Sequence, residues 1–179
     1  AKHGVPSKGP LLLFVGGLSA PKGATVLEKA LPKIFEKYPS ATLLVVGVIQ
    51  YRMALGKYQK NVVHCERVAR DCIHEYYQAA DIFLYPTVYN EAFPMNSSLE
   101  AFASGLPCII GDVLGAREVI TDQAILVALY DVDAIVTSVD TLIADKIKCR
   151  SLGEKARVLA LNYSYPTVTD GILQFLERV

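Results

Sequence analysis

Short apolar runs alternate along the chain with longer segments in which apolar residues recur at helical spacing. Six runs are typical of strands: LLLFV (11–15), TLLVVG (42–47), NVVHC (61–65), DIFLYP (81–86), PCIIG (107–111) and ILVAL (125–129). Helices are predicted between and after them: 24–38, 71–80, 97–104, 115–120, 132–145 and 146–179. The pattern therefore predicts repeated strand–helix units.

Three local features refine the predicted helices. Pro32 lies inside the first helical pattern and is expected to kink it, because proline removes a backbone hydrogen bond. Asp71 immediately precedes an apolar helical run and is predicted to cap it. The last helical segment is expected to be broken near Tyr163–Pro166.

Alternating strands and helices predict an α/β fold, a doubly wound, Rossmann-like parallel sheet of about six strands with helices on both faces. Residues 1–10 are predicted to be a linker, and residues 11–179 one domain that includes the carboxy-terminal helices. Ligands of such sheets bind beyond the carboxyl ends of the strands. The loops found there begin at Gly16, Gly47, Cys65, Pro86 and Gly111.

Composition narrows the class of protein further. The 179 residues are 52% apolar and 20% charged, which is typical of one globular domain. Lys plus Arg and Asp plus Glu each total 18, so the basic excess of a nucleic-acid-binding protein is missing. The apolar runs are too short to span a bilayer and no signal peptide is recognisable, so we expect a cytoplasmic protein.

Neither the cysteines nor the histidines indicate a metal site. The four cysteines form no CxxC pair, and His3, His64 and His74 show no ligand spacing. We therefore expect no metal and no cofactor.

The loop VGGLSAPKGA (15–24) is a candidate anion site. Gly16 and Gly17 free backbone amides at the end of the first strand, and Lys22 adds a full charge at the start of the next helix. The loop matches neither a Walker P-loop nor GxGxxG. A tight turn with a solvated lysine is an equally good interpretation on spacing alone.

Two glutamates in NEAFPMNSSLEAFASG (90–105) are the other candidates. Glu91 follows a strand and should lie in the ligand crevice, whereas Glu100 stands three residues after Ser97 in a capping-box pattern. Glu100 is therefore either a helix-capping residue or a ligand. An acid/base pair would need a defined separation around one bond, and the chain has no tryptophan to suggest a glycosidase cleft.

The ordered set of motifs resembles the carboxy-terminal, donor-binding domain of GT-B glycosyltransferases, in the large retaining family (group 1, family 4-like) that uses nucleotide sugars. The motifs that carry the resemblance are LLLFVGGLSAPKG, KYPSATLLVVG, NVVHCERV, HEYYQAADIFLYPTVYNEAFP, LEAFASGLPCIIGD, GAREVI and YSYPTV. They cover most of the chain in the family's order.

The resemblance implies roles for individual residues. Lys22 would neutralise the diphosphate leaving group, and Glu91 would accept hydrogen bonds from hydroxyls of the donor sugar; these two are the implied catalytic residues. Glu100 would bind the ribose hydroxyls. The remaining implied donor-binding residues are Gly16, Gly17, Gly47, Arg67, Val68, Ala92, Phe93, Pro94, Met95 and Asn96.

The implied function is transfer of a hexose from a UDP-sugar or a GDP-sugar such as GDP-mannose, with retention and without a metal. The acceptor would bind an amino-terminal domain that this chain lacks, so the fragment alone is expected to be inactive. Membrane contact, if any, is expected only through that missing domain, and nucleic acid is not an expected partner. The alternatives are a non-catalytic GT-B-like module with a degraded donor site and, less favoured, a relative of GT-B phosphorylases or epimerases.

The chain departs from the family pattern at four places, and two of them, Gly17 and the loop GVIQ, favour the non-catalytic alternative. Gly17 replaces a usual arginine, GVIQ (47–50) replaces a glycine-rich loop, and Leu114 replaces a common glycine. Eight residues separate Glu91 from Glu100, where the family has seven. The extra residue lies between Phe93 and Leu99, where a loop or a first helical turn can absorb it.

Overall fold

The computed structural model describes residues 8–90 and 93–177, in which one parallel sheet has the order β3-β2-β1-β4-β5-β6. Its strands are β1 (Leu11–Val15), β2 (Thr42–Val46), β3 (Val62–Cys65), β4 (Ile82–Tyr85), β5 (Cys108–Gly111) and β6 (Ile125–Val127). All five strand pairs are parallel. The predicted doubly wound α/β fold is confirmed.

Helices link the strands and form the carboxy-terminal part of the domain. They are α1 (Ala24–Lys37), α2 (Ile73–Ala79), α3 (Asn96–Ala103), α4 (Ala116–Val119), α5 (Val132–Ala144), α6 (Lys146–Leu161) and α7 (Tyr165–Leu176). A short 3-10 helix at Gly56–Asn61 precedes β3. The predicted break in the last helical segment is confirmed, because α6 ends at Leu161 and α7 begins at Tyr165.

Two helix predictions need correction or qualification. Helix α1 runs through Pro32 without interruption. The prediction that Asp71 caps α2 is wrong, because Cys72 is the N-cap residue and no side chain bonds to the helix start. A turn closed by the Cys72 N–H on the Ala69 carbonyl (2.9 Å) sets the start of α2 instead.

The core consists of apolar strands covered by helices. Helix α1 packs against α5, and α3 packs against α6. Leu27 and Phe35 of α1 are almost completely buried, and each such side chain stabilises the fold by about 1.5–3 kcal/mol. Among the described residues, no helix combines the length and hydrophobicity needed to cross a bilayer.

The sheet reverses its strand order between β1 and β4. From β1 the chain moves outward through β2 to β3, and it then returns to the other side of β1 as β4. The loops that follow β1 and β4 therefore diverge at the carboxyl edge, which is where ligands bind in sheets of this kind.

Candidate functional site

The loop after β1 lies directly against the loop after β4. The Pro21 carbonyl accepts hydrogen bonds from the Val88 N–H (2.9 Å) and from the Thr87 hydroxyl (3.3 Å). The Lys22 Nζ is 5.8 Å from the ring centroid of Tyr85, the last residue of β4. This loop pairing therefore places the Lys22 ammonium at the point where the sheet order reverses.

The loops after β1 and β2 are joined backbone to backbone. The Gly16 N–H donates to the Val46 carbonyl (2.8 Å), and the Leu18 N–H donates to the Val48 carbonyl (2.9 Å). Gly47 has a φ of 133°, and a Cβ on it would lie 2.2 Å from the Gly16 carbonyl oxygen. A side chain at Gly47 would therefore force the two loops apart, and glycine is required there.

Helix α3 begins without a side-chain cap, so the capping-box interpretation of Glu100 is wrong. Met95 is the N-cap residue, its side chain bonds to no helix amide, and Ser97 lies inside the first turn. That turn contains no acidic residue. The amino-terminal amides of α3, beside the exposed Asn96, therefore present a positive helix end to any ligand of the crevice.

The Glu100 carboxylate is held by a buried tyrosine. The Tyr77 hydroxyl donates to Glu100 Oε2 at 2.8 Å and approaches the Ser97 carbonyl at 3.2 Å. Burial is the main cause that raises the pKa of Tyr77, and the hydrogen bond to the Glu100 carboxylate is the second. The phenol therefore stays protonated and continues to donate its hydrogen bond to Glu100. Tyr77 thus orients one carboxylate oxygen and leaves acceptor positions on the exposed Glu100 available.

Glu100 lines a cleft of about 590 Å³ between α3 and the last two helices. Arg70 and Arg157 also line this cleft, together with Tyr165 at the start of α7. The rest of the lining is mainly apolar, so the cleft offers an apolar surface with one carboxylate and two cations on it.

Arg67 and Val68 follow β3 and lie in a second, smaller cleft of about 370 Å³. Arg67 is exposed and Val68 is half-buried, and Cys65 and Tyr76 share the cleft with them. Because Arg70 of the same loop lines the Glu100 cleft, this loop borders both clefts.

Glu91 and Ala92 lie outside the described residues, although their flanks are in place. The Asn90 side-chain oxygen accepts a hydrogen bond from the Leu114 N–H at 3.3 Å. Phe93 approaches Gly115, since a Cβ on that glycine would lie 3.9 Å from the Phe93 Cβ. Phe93 and Pro94 are half-buried. The described residues on either side of this gap therefore contact the loop after β5.

Two residues of the site were not predicted from the sequence. The Glu28 carboxylate accepts the Ala54 N–H (2.5 Å) and the Tyr51 hydroxyl (2.7 Å), which fastens the loop after β2 to α1. Tyr77 holds Glu100, but its helical spacing indicates only a core residue. No local pattern marks either residue, because their partners are more than twenty positions away.

Within residues 8–90 and 93–177, no three His, Cys, Asp or Glu side chains are grouped so that they could hold a metal ion.

Comparison with known proteins relates this fold and crevice to enzymes. The family described as "Glycosyl transferases group 1" matches residues 1–159. The chain is 33% identical over 150 residues to an uncharacterized glycosyltransferase of Methanocaldococcus jannaschii, covering 79% of this chain and 38% of that protein. It is 28% identical to the GDP-mannose-dependent alpha-(1-6)-phosphatidylinositol monomannoside mannosyltransferase of Mycolicibacterium smegmatis, covering 86% and 44%.

A solved structure shares the fold. Anabaena HepE, crystallised in complex with UDP, superposes with a TM-score of 0.78 at 21% identity, covering 95% of this chain and 49% of that one. In all three comparisons the chain spans less than half of the other protein's length.

Proposed function

Because the chain belongs to the glycosyl transferases group 1 family, we propose that it is the donor-binding half of a hexosyltransferase. The donor is a UDP-sugar or a GDP-sugar, and the sugar is transferred with retention of its anomeric configuration. The acceptor-binding half is a second domain outside this chain. Donor binding is proposed for the chain itself, and transfer for the longer, cytoplasmic protein.

The position of Lys22 is the observation that carries the proposal. Its ammonium stands over the end of β4, at the reversal of the sheet order. As the bond between sugar and diphosphate breaks, negative charge accumulates on the leaving diphosphate. A cation fixed beside that group stabilises the developing charge more than the ground state, and it does so without a metal.

The start of α3 and Glu100 supply the other contacts that a nucleotide sugar needs. The uncapped amides after Met95 suit phosphate or sugar oxygens, as helix amino termini commonly do. Glu100, held by Tyr77, can accept two ribose hydroxyls at once. Glu91 is proposed to accept the sugar hydroxyls, and Arg67–Val68 to meet the base.

Both nucleotides have support among the related proteins. The mycobacterial relative is named for its dependence on GDP-mannose, and the cyanobacterial structure was solved with UDP. Neither name decides the base for this chain, so both nucleotides belong in the test.

Calorimetric titration of this chain with UDP, GDP and uridine tests the proposal. One diphosphate should bind, and Lys22→Ala should weaken it about ten- to a hundredfold while leaving uridine unchanged, because hydrogen bonds to charged groups contribute about 1.5–3 kcal/mol. Lys29→Ala is the control, since Lys29 is an exposed cation on α1 itself. No binding at millimolar nucleotide would refute the proposal.

A non-catalytic module with a degraded donor site is the second candidate. It is favoured by the missing side chain at Gly17 and by the GVIQ loop, whose Val48 side chain is 48% exposed. This candidate predicts that wild type and Lys22→Ala behave alike with every nucleotide.

A further inference from the structure

The backbone conformation at residue 17 does not require a glycine. Unlike Gly16, whose φ is 129°, Gly17 does not have a left-handed φ. The three nearest neighbours of a Cβ on Gly17 would all be atoms of the Gln50 carboxamide: Nε2 at 3.6 Å, Cδ at 3.7 Å and Oε1 at 3.9 Å. The missing side chain thus leaves room that the Gln50 carboxamide borders at ordinary contact distance.

The backbone of Gln50 is fixed in this position. Its N–H donates to the Leu18 carbonyl at 3.0 Å, and the next N–H, of Tyr51, donates to the same carbonyl at 2.9 Å. The Glu28 carboxylate then holds the loop on α1 through the Tyr51 hydroxyl and the Ala54 amide. Gln50 is nevertheless exposed, so its carboxamide lies beside Gly17 on a fixed backbone and is accessible to a ligand.

The charged side chains of the loops after β1 and β2 do not supply enough hydrogen-bond donors for all the oxygens of a diphosphate. The loop after β1 (16–23) contains one charged side chain, Lys22, and the loop after β2 (47–55) contains one, Arg52. Of the two, Lys22 is the cation that lies at the reversal of the sheet order. The diphosphate of a nucleotide sugar carries about two negative charges and many acceptor oxygens, which one ammonium with three donors does not satisfy. A carboxamide adds two N–H donors without adding charge.

We propose that Gln50 is a substrate-contacting residue that donates a hydrogen bond to the donor's diphosphate from beside Gly17. This inference rests on the proposed function, since it needs the diphosphate to lie at the carboxyl edge of the sheet, against the loop after β1. It assigns the recognition of one phosphate to a neutral side chain that acts alongside the charge of Lys22.

Replacing Gln50 with residues of graded charge tests the assignment by calorimetric titration with UDP. Gln50→Ala should weaken UDP binding about tenfold or more, the loss of one hydrogen bond to a charged group. Gln50→Glu should weaken it more, because a carboxylate repels the diphosphate, and Gln50→Lys should strengthen it and steepen its dependence on salt. Gln50 is exposed, so all three variants should unfold at the wild-type urea concentration.

Gln78 provides the matched control. It is exposed in the last turn of α2, which leads away from the carboxyl edge of the sheet, so Gln78→Glu and Gln78→Lys should leave UDP affinity unchanged. Equal affinity of all Gln50 variants would overturn the inference while leaving wild-type binding, and the proposed function, intact. An effect on UDP-glucose but not on UDP would also overturn it, because Gln50 would then contact the sugar. Failure of the wild type to bind would overturn both.

Discussion

Replacing Gly47 by alanine tests whether the loops after β1 and β2 pack backbone to backbone. Gly16 and Gly47 have nearly the same φ, 129° and 133°, but different surroundings. A Cβ on Gly16 would meet nothing within 4 Å, whereas a Cβ on Gly47 would lie 2.2 Å from the Gly16 carbonyl oxygen. The pair therefore separates backbone strain from steric overlap.

The loss of stability expected for each variant is the sum of its backbone strain and its steric overlap. A non-glycine residue at such a φ costs about 1–3 kcal/mol, which both variants share. The overlap at Gly47 adds about 1–3 kcal/mol, the usual cost of overpacking. Gly16→Ala should therefore lower the free energy of unfolding by about 1–3 kcal/mol, and Gly47→Ala by about 2–6 kcal/mol.

Urea unfolding followed by circular dichroism measures the difference. With a slope of about 2 kcal/mol/M, the Gly47→Ala midpoint should lie about 0.5–1.5 M below that of Gly16→Ala. Gly171→Ala is the control of opposite sign, because Gly171 is a helical residue of α7 with open space around it and alanine there should stabilise slightly. Equal midpoints for Gly16→Ala and Gly47→Ala would refute the backbone contact.

Two other predictions concern hydroxyl and carboxylate contacts. Tyr77→Phe should weaken UDP about three- to tenfold and leave ribose-free pyrophosphate unchanged, because Glu100 loses its orienting donor; equal effects on both ligands in a competition titration would contradict this. The pKa of Glu28 is lowered mainly by the hydrogen bond from the Ala54 N–H and next by the bond from the Tyr51 hydroxyl. The ionised carboxylate therefore stabilises the fold at pH values above 4.5, the ordinary pKa of the group. At neutral pH, Glu28→Gln should lower the free energy of unfolding by about 1 kcal/mol. Urea unfolding at a series of pH values should show this difference from wild type disappear as the pH falls through the lowered pKa of Glu28. A difference that does not change with pH would contradict the stabilising role of the Glu28 carboxylate.

The four central strands β1, β2, β4 and β5 could be predicted because they are buried on both faces. Apolar runs of this kind have no other stable place in a domain of this size. The run 11–15 coincides with β1, and the predicted strand 81–86 contains β4 with one additional residue at each end. The carboxyl-edge loops follow from the strands, so the position of Lys22 could also be predicted.

Helix starts and side-chain couplings could not be predicted in the same way. Asp71 and Ser97 are both favoured N-cap residues, yet α2 and α3 begin at other positions. A cap contributes only about 1 kcal/mol, which burial of one apolar side chain of the helix outweighs.

Contacts between residues far apart in the sequence depend on the tertiary structure. Gln50 meets Gly17 because parallel strands bring two distant loops to one edge of the sheet, and Tyr77 meets Glu100 because α2 contacts α3. Sequence spacing carries no record of such pairs, since each depends on the tertiary register of two elements.

Binding of a nucleotide diphosphate in this crevice is tested most directly by amide NMR shifts during a titration with UDP or GDP. The predicted result is saturable shifts at Gly16, Gly17 and Lys22 and in the first turn of α3, with little change in the last turn of α1 around Lys37. Shifts confined to other surfaces, or no shifts at millimolar nucleotide, would contradict the account.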